Sequence, residues 1–184
     1  GRFFATARKQ PWFQNTIFVL TSDHTNQSDH AEYQTDLGGF CSPIIIYDPS
    51  QPEGRIEDKV AQQIDILPTV LGMLGYQKPY FGFGIDVLNT PAEDTWAVNY
   101  LNGIYQYVRY GYVLQFDGTN TKGVYKLDDR LMQHNLIGKV PQQPQMEREL
   151  KAIIQQYMMR MTQNRLTSEA VSTGKTNGLT SPRS

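Results

Sequence analysis

Apolar and polar positions fall into short blocks. Thr16-Ile17-Phe18-Val19-Leu20 is a nearly unbroken apolar and β-branched run, with Asn15 before it and Thr21-Ser22-Asp23-His24 after it. A run this short and continuous predicts a strand buried on both faces, as in a parallel sheet covered by helices. Ser42 to Tyr47 predicts a second such strand, with Pro43 at its start, where proline is tolerated. Between them lies a long polar loop, Asp23 to Phe40, punctuated by Gly38-Gly39. Arg2 to Gln10 reads as a short amphipathic helix stopped by Pro11. Asp48 to Gly54 is a turn cluster.

Ile64 to Gly75 predicts a helix, with Asp65 as N-cap, Pro68 in the first turn and Gly75 just past the end. Leu67, Val70, Leu71 and Leu74 share the face expected to pack on the sheet. Lys78 to Leu88 reads as irregular. From Trp96 the texture changes to Tyr-rich alternation. Ala97–Leu101, 103–110, Tyr112–Phe116 and 124–127 are strand candidates separated by Asn102-Gly103, Gly111 and Asp117-Gly118-Thr119-Asn120. They predict a small antiparallel sheet appended to the parallel one. Gln142 to Gln163 carries Met146, Leu150, Ile153, Ile154, Tyr157, Met158 and Met161 at helical spacing, read as core. Residues 167–184 are polar and small and predict a disordered tail. The fold class is therefore α/β, divided as 1–95, 96–166 and the tail 167–184.

Composition narrows the function classes. The 184 residues can hold one domain with a core. The net charge of −1, from 17 basic and 18 acidic residues, leaves no nucleic-acid footprint. The single cysteine, Cys41, excludes an internal disulfide and a Cys-based zinc site within the chain, and beside a buried strand it reads as an inert small hydrophobe. No apolar run approaches the roughly 20 residues of a membrane span. The chain opens on Gly1 in the middle of a helical pattern, which fits a piece of a longer protein.

The chemistry concentrates at the exit of the first strand. In open α/β sheets, ligands sit beyond the carboxyl ends of strands. Asp23 and His24 are delivered there. Successive strand residues point to opposite faces, so the pair can grip one ion only where the backbone has left strand geometry. A carboxylate with an imidazole suits Mn, Zn or Fe better than Ca. The same residues also fit a strand-end Asp capping a turn beside an incidental His. His30, in the same loop, fits a substrate contact, a general acid or base, or a solvated histidine. His134 takes no role. The tyrosines from Tyr100 to Tyr112 fit a stacking surface or plain sheet packing.

Four segments together carry a resemblance. Trp12 to Thr25 (WFQNTIFVLTSDHT), Ser42 to Pro49 (SPIIIYDP), Val60 to Tyr76 (VAQQIDILPTVLGMLGY) and Val124 to Leu136 (VYKLDDRLMQHNL) resemble, in order, the late segments of the alkaline phosphatase/sulfatase superfamily. The nearest branch is the lipoteichoic acid synthase-like family of phosphoglycerol transferases. That resemblance implies the C-terminal part of an αβα sandwich. It also implies one divalent metal ion, with Mn ahead of Zn, Ca or Mg. Asp23 and His24 match the family's Asp-His ligand pair. The nucleophile and first acidic ligand lie upstream in the family and match nothing here. Cys41 lacks the sulfatase Cys-x-Pro-x-Arg context, so it is not that nucleophile. The chain is then expected to be inactive alone, with the N-terminal part of the enzyme as its partner and a lipid-linked or small phospho- or sulfo-ester as substrate. The whole enzyme is expected to be membrane-anchored, with its catalytic domain outside the cytoplasm, and to involve no nucleic acid. The competing expectation is a non-catalytic α/β module that binds a glycan or protein.

Overall fold

The computed structural model describes residues 1–25, 28–51 and 53–167, so all of the expected tail beyond Thr167 lies outside the described residues. Helix α1 spans Arg2–Ala7, one turn shorter than the sequence pattern. Strand β1 (Phe18–Thr21) pairs with β2 (Ile44–Tyr47), Phe18 opposite Tyr47 and Thr21 opposite Ile44. Phe4, Phe13, Phe18 and Tyr47 surround one another with ring centroids 5.2 to 6.2 Å apart, which fixes α1 and its exit against the two strands.

This pair corrects the parallel, doubly buried expectation. The two strands are antiparallel, and Leu20 and Ile45, opposite each other, are 39% and 53% exposed. A parallel pair needs a long crossover, usually a helix. Among the described residues between the two strands the helical elements are two short 3-10 turns, Ala31–Tyr33 and Gly38–Phe40, and the chain returns alongside itself. Continuous apolarity predicted burial but carries no information on direction.

Helix α2 (Ile66–Met73) follows a 3-10 turn, Gln63–Asp65, and ends at Gly75, whose φ of +64° is the left-handed stop expected there. Its buried face is not the predicted one. Pro68 and Thr69 are buried, whereas Leu67 and Leu74 are 56% and 65% exposed. Polar pinning decides this. Thr69 Oγ1 donates to the Ile85 carbonyl at 3.4 Å and accepts the Val87 N–H at 3.1 Å, holding the 85–87 segment against that face. Asp65 does not cap its own helix either. Its carboxylate, 1% exposed, accepts the N–H of Gln62 at 3.0 Å and of Ile85 at 2.8 Å. Burial pushes this carboxyl above the usual carboxylate range, and the two N–H groups offset part of that rise.

The antiparallel sheet stands as predicted. Strands β3 (Ala97–Leu101), β4 (Ile104–Arg109), β5 (Tyr112–Phe116) and β6 (Thr121–Lys126) form a meander. Asn102-Gly103 and Tyr110-Gly111 turn it, all four with positive φ, the conformation that two-residue hairpin loops require. Helix α3 (Gln143–Thr162) lies on one face, where Met146 and Leu150 pack with Tyr107, Leu114, Phe116 and Val124 as the main core. The other face, with Ala97, Val108 and Val113, meets Leu37 and Val60 from the first sheet's surroundings. The Met-rich face of α3 is core only in its first half. Tyr157, Met158 and Met161 are about half exposed, because the meander ends beneath Ile154.

A polar lock joins α3 to the meander. Glu149 accepts Tyr107 Oη at 2.9 Å and Tyr110 Oη at 2.8 Å and faces Arg109 at 3.3 Å. Burial raises the Glu149 carboxyl, but hydrogen bonds from Gln145, Tyr110 and Tyr107 and the charge of Arg109 outweigh it and hold the group below its ordinary value. A depressed folded pKa means the stabilisation is complete above the unfolded pKa and drains away as pH falls through the folded one. Glu149→Gln is therefore expected to cost about 1–3 kcal/mol at pH 7. The difference from wild type is expected to vanish in acid below the usual 4.5, as read by urea unfolding at both pH values.

Candidate metal centre

The ladder of β1 closes at Thr21, so Asp23 and His24 sit outside strand geometry, the condition for both to face one point. Asp23 Oδ1 accepts the His24 N–H at 3.0 Å, and Asp23 Oδ2 lies 3.4 Å from His24 Nε2. His24 Nδ1 lies 3.1 Å from the Thr25 carbonyl. A carbonyl only accepts, so Nδ1 carries a proton toward Thr25, while Nε2 faces the carboxylate, where a proton on Nε2 or a cation between the two groups satisfies both. A backbone carbonyl holding the far ring nitrogen is also how metal-binding histidines are usually oriented. The pair thus fits a divalent cation. Among the described residues no group of three or more His, Cys, Asp or Glu converges to hold one.

The segment is positioned from outside. The Thr25 N–H donates to the Gly39 carbonyl at 3.1 Å, and Thr25 Oγ1 lies 2.5 Å from the Cys41 carbonyl. Gly38 has no room for a side chain, since a Cβ there would overlap the Glu32 carbonyl. Gln63 Nε2 donates to the carbonyls of Ser22 at 2.5 Å and Asp23 at 3.1 Å. Its neighbour Gln62 reaches the opposite way. Gln62 Nε2 donates to the Trp96 carbonyl at 3.2 Å and Oε1 accepts the Val98 N–H at 3.1 Å. The two glutamines clamp the β1 exit to the edge of β3. The Asp23 side chain is 86% exposed and opens on a cleft of about 340 Å³ that Phe40, Gln63, Asn99 and Tyr100 also line.

The remaining sequence candidates fall elsewhere. His30 is exposed, packs edge-on to Tyr33 at 6.3 Å and does not line this cleft. His134 Nδ1 faces Asp129 Oδ2 at 3.3 Å. The Asp129 carboxylate also accepts the backbone N–H of His134 and of Gln133, so this second Asp-His pair is a turn closing on itself. Cys41 is exposed rather than buried. Its Sγ donates to the Leu37 carbonyl at 3.7 Å, and partial burial of the thiol raises its pKa against the charge of Arg130, so it carries no activated thiolate. A larger cleft of about 930 Å³ between β2 and α2 is lined by Tyr47, Lys59, Thr69 and Met73 and does not reach Asp23. Gln62, Gln63, Asn99 and Tyr100 were not singled out for these roles in the sequence. Only the polar doublet ahead of the α2 pattern hinted at the first two.

Residues 1–76 match the family model described as Sulfatase. The chain is 33% identical over 99 residues to the multifunctional alkaline phosphatase superfamily protein PehA of Trinickia caryophylli, a match over 50% of this chain and 19% of that protein. It is 29% identical over 113 residues to an arylsulfatase of Clostridium perfringens, over 56% of this chain and 23% of the relative. A solved structure of an alkaline phosphatase superfamily protein from Vibrio parahaemolyticus superposes with a TM-score of 0.74 at 23% identity, covering 91% of this chain and 40% of the other. These findings support the alkaline phosphatase superfamily. The chain spans about a fifth of the length of the curated relatives it matches. The fold of that neighbour is the one observed here.

Gln63→Leu keeps the side-chain volume and removes the donor. Exchange of the Thr25 amide is expected to accelerate roughly tenfold, the equivalent of about 1.4 kcal/mol of lost hydrogen bonding. The global urea midpoint should barely move. Unchanged exchange by NMR would show that Gln63 does not hold the segment.

Proposed function

We propose that this chain is the C-terminal part of a metal-dependent phospho- or sulfo-ester transferase or hydrolase. Asp23 and His24 supply two ligands of one divalent ion, Mn ahead of Zn, Ca or Mg. The carrying observation is the Asp23–His24 geometry, a carboxylate oxygen and a ring nitrogen 3.4 Å apart with the far ring nitrogen held by the Thr25 carbonyl. The remaining ligands and the nucleophile come from the N-terminal part of the intact protein, and the chain alone is inactive. Exposed Leu20 and Ile45 on the first sheet, Leu67 on α2 and Leu74 at its end are apolar surface such a part would cover. The resemblance to the lipoteichoic acid synthase-like branch supports a membrane-anchored, extracytoplasmic enzyme with a lipid-linked or small ester as substrate. None of the described helices is long and apolar enough to cross a membrane.

The ion supplies Lewis-acid stabilisation of charge on the transferring group's oxygens and activation of a hydroxyl. The chain's own contribution is placement. Asp23 lines the cleft with its carboxylate, and the Thr25 carbonyl holds His24 Nδ1 so that Nε2 lies on the Asp23 side. Gln63 fixes the carbonyls on either side of the Ser22–Asp23 bond. The binding-module alternative needs Asp23 and His24 to be structural, yet both side chains are largely exposed and bond only to each other and Thr25 among the described residues.

The test compares turnover of an aryl phosphodiester and an aryl sulfate by the intact protein, with Mn added or chelated. Asp23→Asn is expected to lower metal-dependent turnover by about two orders of magnitude or more, the scale of losing a charge-stabilising group. Stability should change by less than about 0.5 kcal/mol, since the side chain is exposed. Turnover that survives chelation, or is unaffected by the substitution, contradicts the reading.

A further inference from the structure

The cleft that receives Asp23 has one wall from outside the sulfatase-matching segment. Asn99 and Tyr100 belong to β3, beyond residue 76. Consecutive strand residues face opposite sides of a sheet, so a cleft lined by both must run along the strand's edge. β3 is an end strand and has such an edge. Gln62 occupies it at the Trp96 carbonyl and the Val98 N–H. Antiparallel alternation places the next outward groups, the Val98 carbonyl and the Tyr100 N–H, on the same edge.

The chemistry of the lining is polarised. Asp23 is the one charged side chain among the described residues that line the cleft. Its other lining residues include the aromatic Phe40 and Tyr100 and the amide side chain of Asn99. Tyr100 is 58% exposed yet held by Tyr105 at 4.5 Å between ring centroids, so its face is set before anything binds. The Asn99 amide makes no side-chain hydrogen bond among the described residues. Uncharged aromatic and amide groups do not attract an anion. They match a neutral ring carrying hydroxyl groups, and about 340 Å³ is space for a single ring-sized group.

We propose that the β3 edge is the subsite for the alcohol part of the ester. A ring lies against Tyr100 and a hydroxyl meets Asn99, while the ester group sits at the Asp23 end. This rests on the proposed function and adds the substrate feature that the C-terminal sheet reads.

The experiment uses the intact protein and two probes. One is the 4-nitrophenyl phosphodiester or sulfate that it turns over. The other is inorganic phosphate or sulfate as a competitive inhibitor, which carries the ester end and no alcohol part. Tyr100→Ala is expected to raise KM for the 4-nitrophenyl ester about tenfold and leave the inhibition constant of the inorganic anion unchanged, with Tyr100→Phe restoring KM. If neither constant moves while metal-dependent turnover persists, the subsite is wrong and the proposed function stands. If both move together, Tyr100 acts through the fold and the subsite is again overturned. If the wild-type protein shows no metal-dependent turnover, the proposed function falls and takes the subsite with it.

Discussion

Four consecutive residues, Gln62 to Asp65, hold the two halves of the described chain to each other and to the site. Asp65 is the anchor, a carboxylate taken almost wholly out of water and kept there by the backbone N–H groups of Gln62, just before it, and of Ile85, far along the chain. Removing the carboxylate would leave both donors buried, at about 1–3 kcal/mol each. Gly84 lets the 84–85 strand of chain come this close, because a Cβ there would overlap the Ile64 carbonyl. Beside Asp65, Gln62 reaches β3 and Gln63 reaches the exit of β1.

This arrangement explains why a largely exposed pair has a defined geometry. Asp23 and His24 are exposed and contribute little to the core. Their backbone is held instead, by Gln63 on one side and by the Thr25 contacts to the Gly38–Cys41 turn on the other. A site can then remain open to a metal and an ester and still keep its donors in register, which is what electrostatic stabilisation requires.

The sequence was most legible where local chemistry decides structure. The meander followed from alternation and from Asn102-Gly103 and Gly111, positions that demand positive φ. α3 followed from its period, and the strand-end Asp-His pair from its place after an apolar run. It was least legible where distant polar groups choose among apolar faces. Leu67 and Leu74 form a convincing apolar stripe, yet Thr69 and Asp65 bind the 85–87 segment and turn α2 so that the stripe is exposed. Strand direction was also hidden, since Thr16 to Leu20 reads the same whichever way its neighbour runs. The β3 wall of the cleft depends on Gln62 meeting Val98 across 36 positions, a contact that no local pattern encodes.

The most direct measurement is a Mn2+ titration of this chain, followed by paramagnetic broadening of its backbone amide signals. Broadening is expected to centre on Asp23, His24 and Thr25 and to reach Gln63 next, with Asp129 and His134 spared although they form a pair of the same residue types 3.3 Å apart. Broadening centred on Asp129 and His134, or spread evenly over the surface carboxylates, would contradict the claim that the end of β1 is the metal-binding part of this molecule.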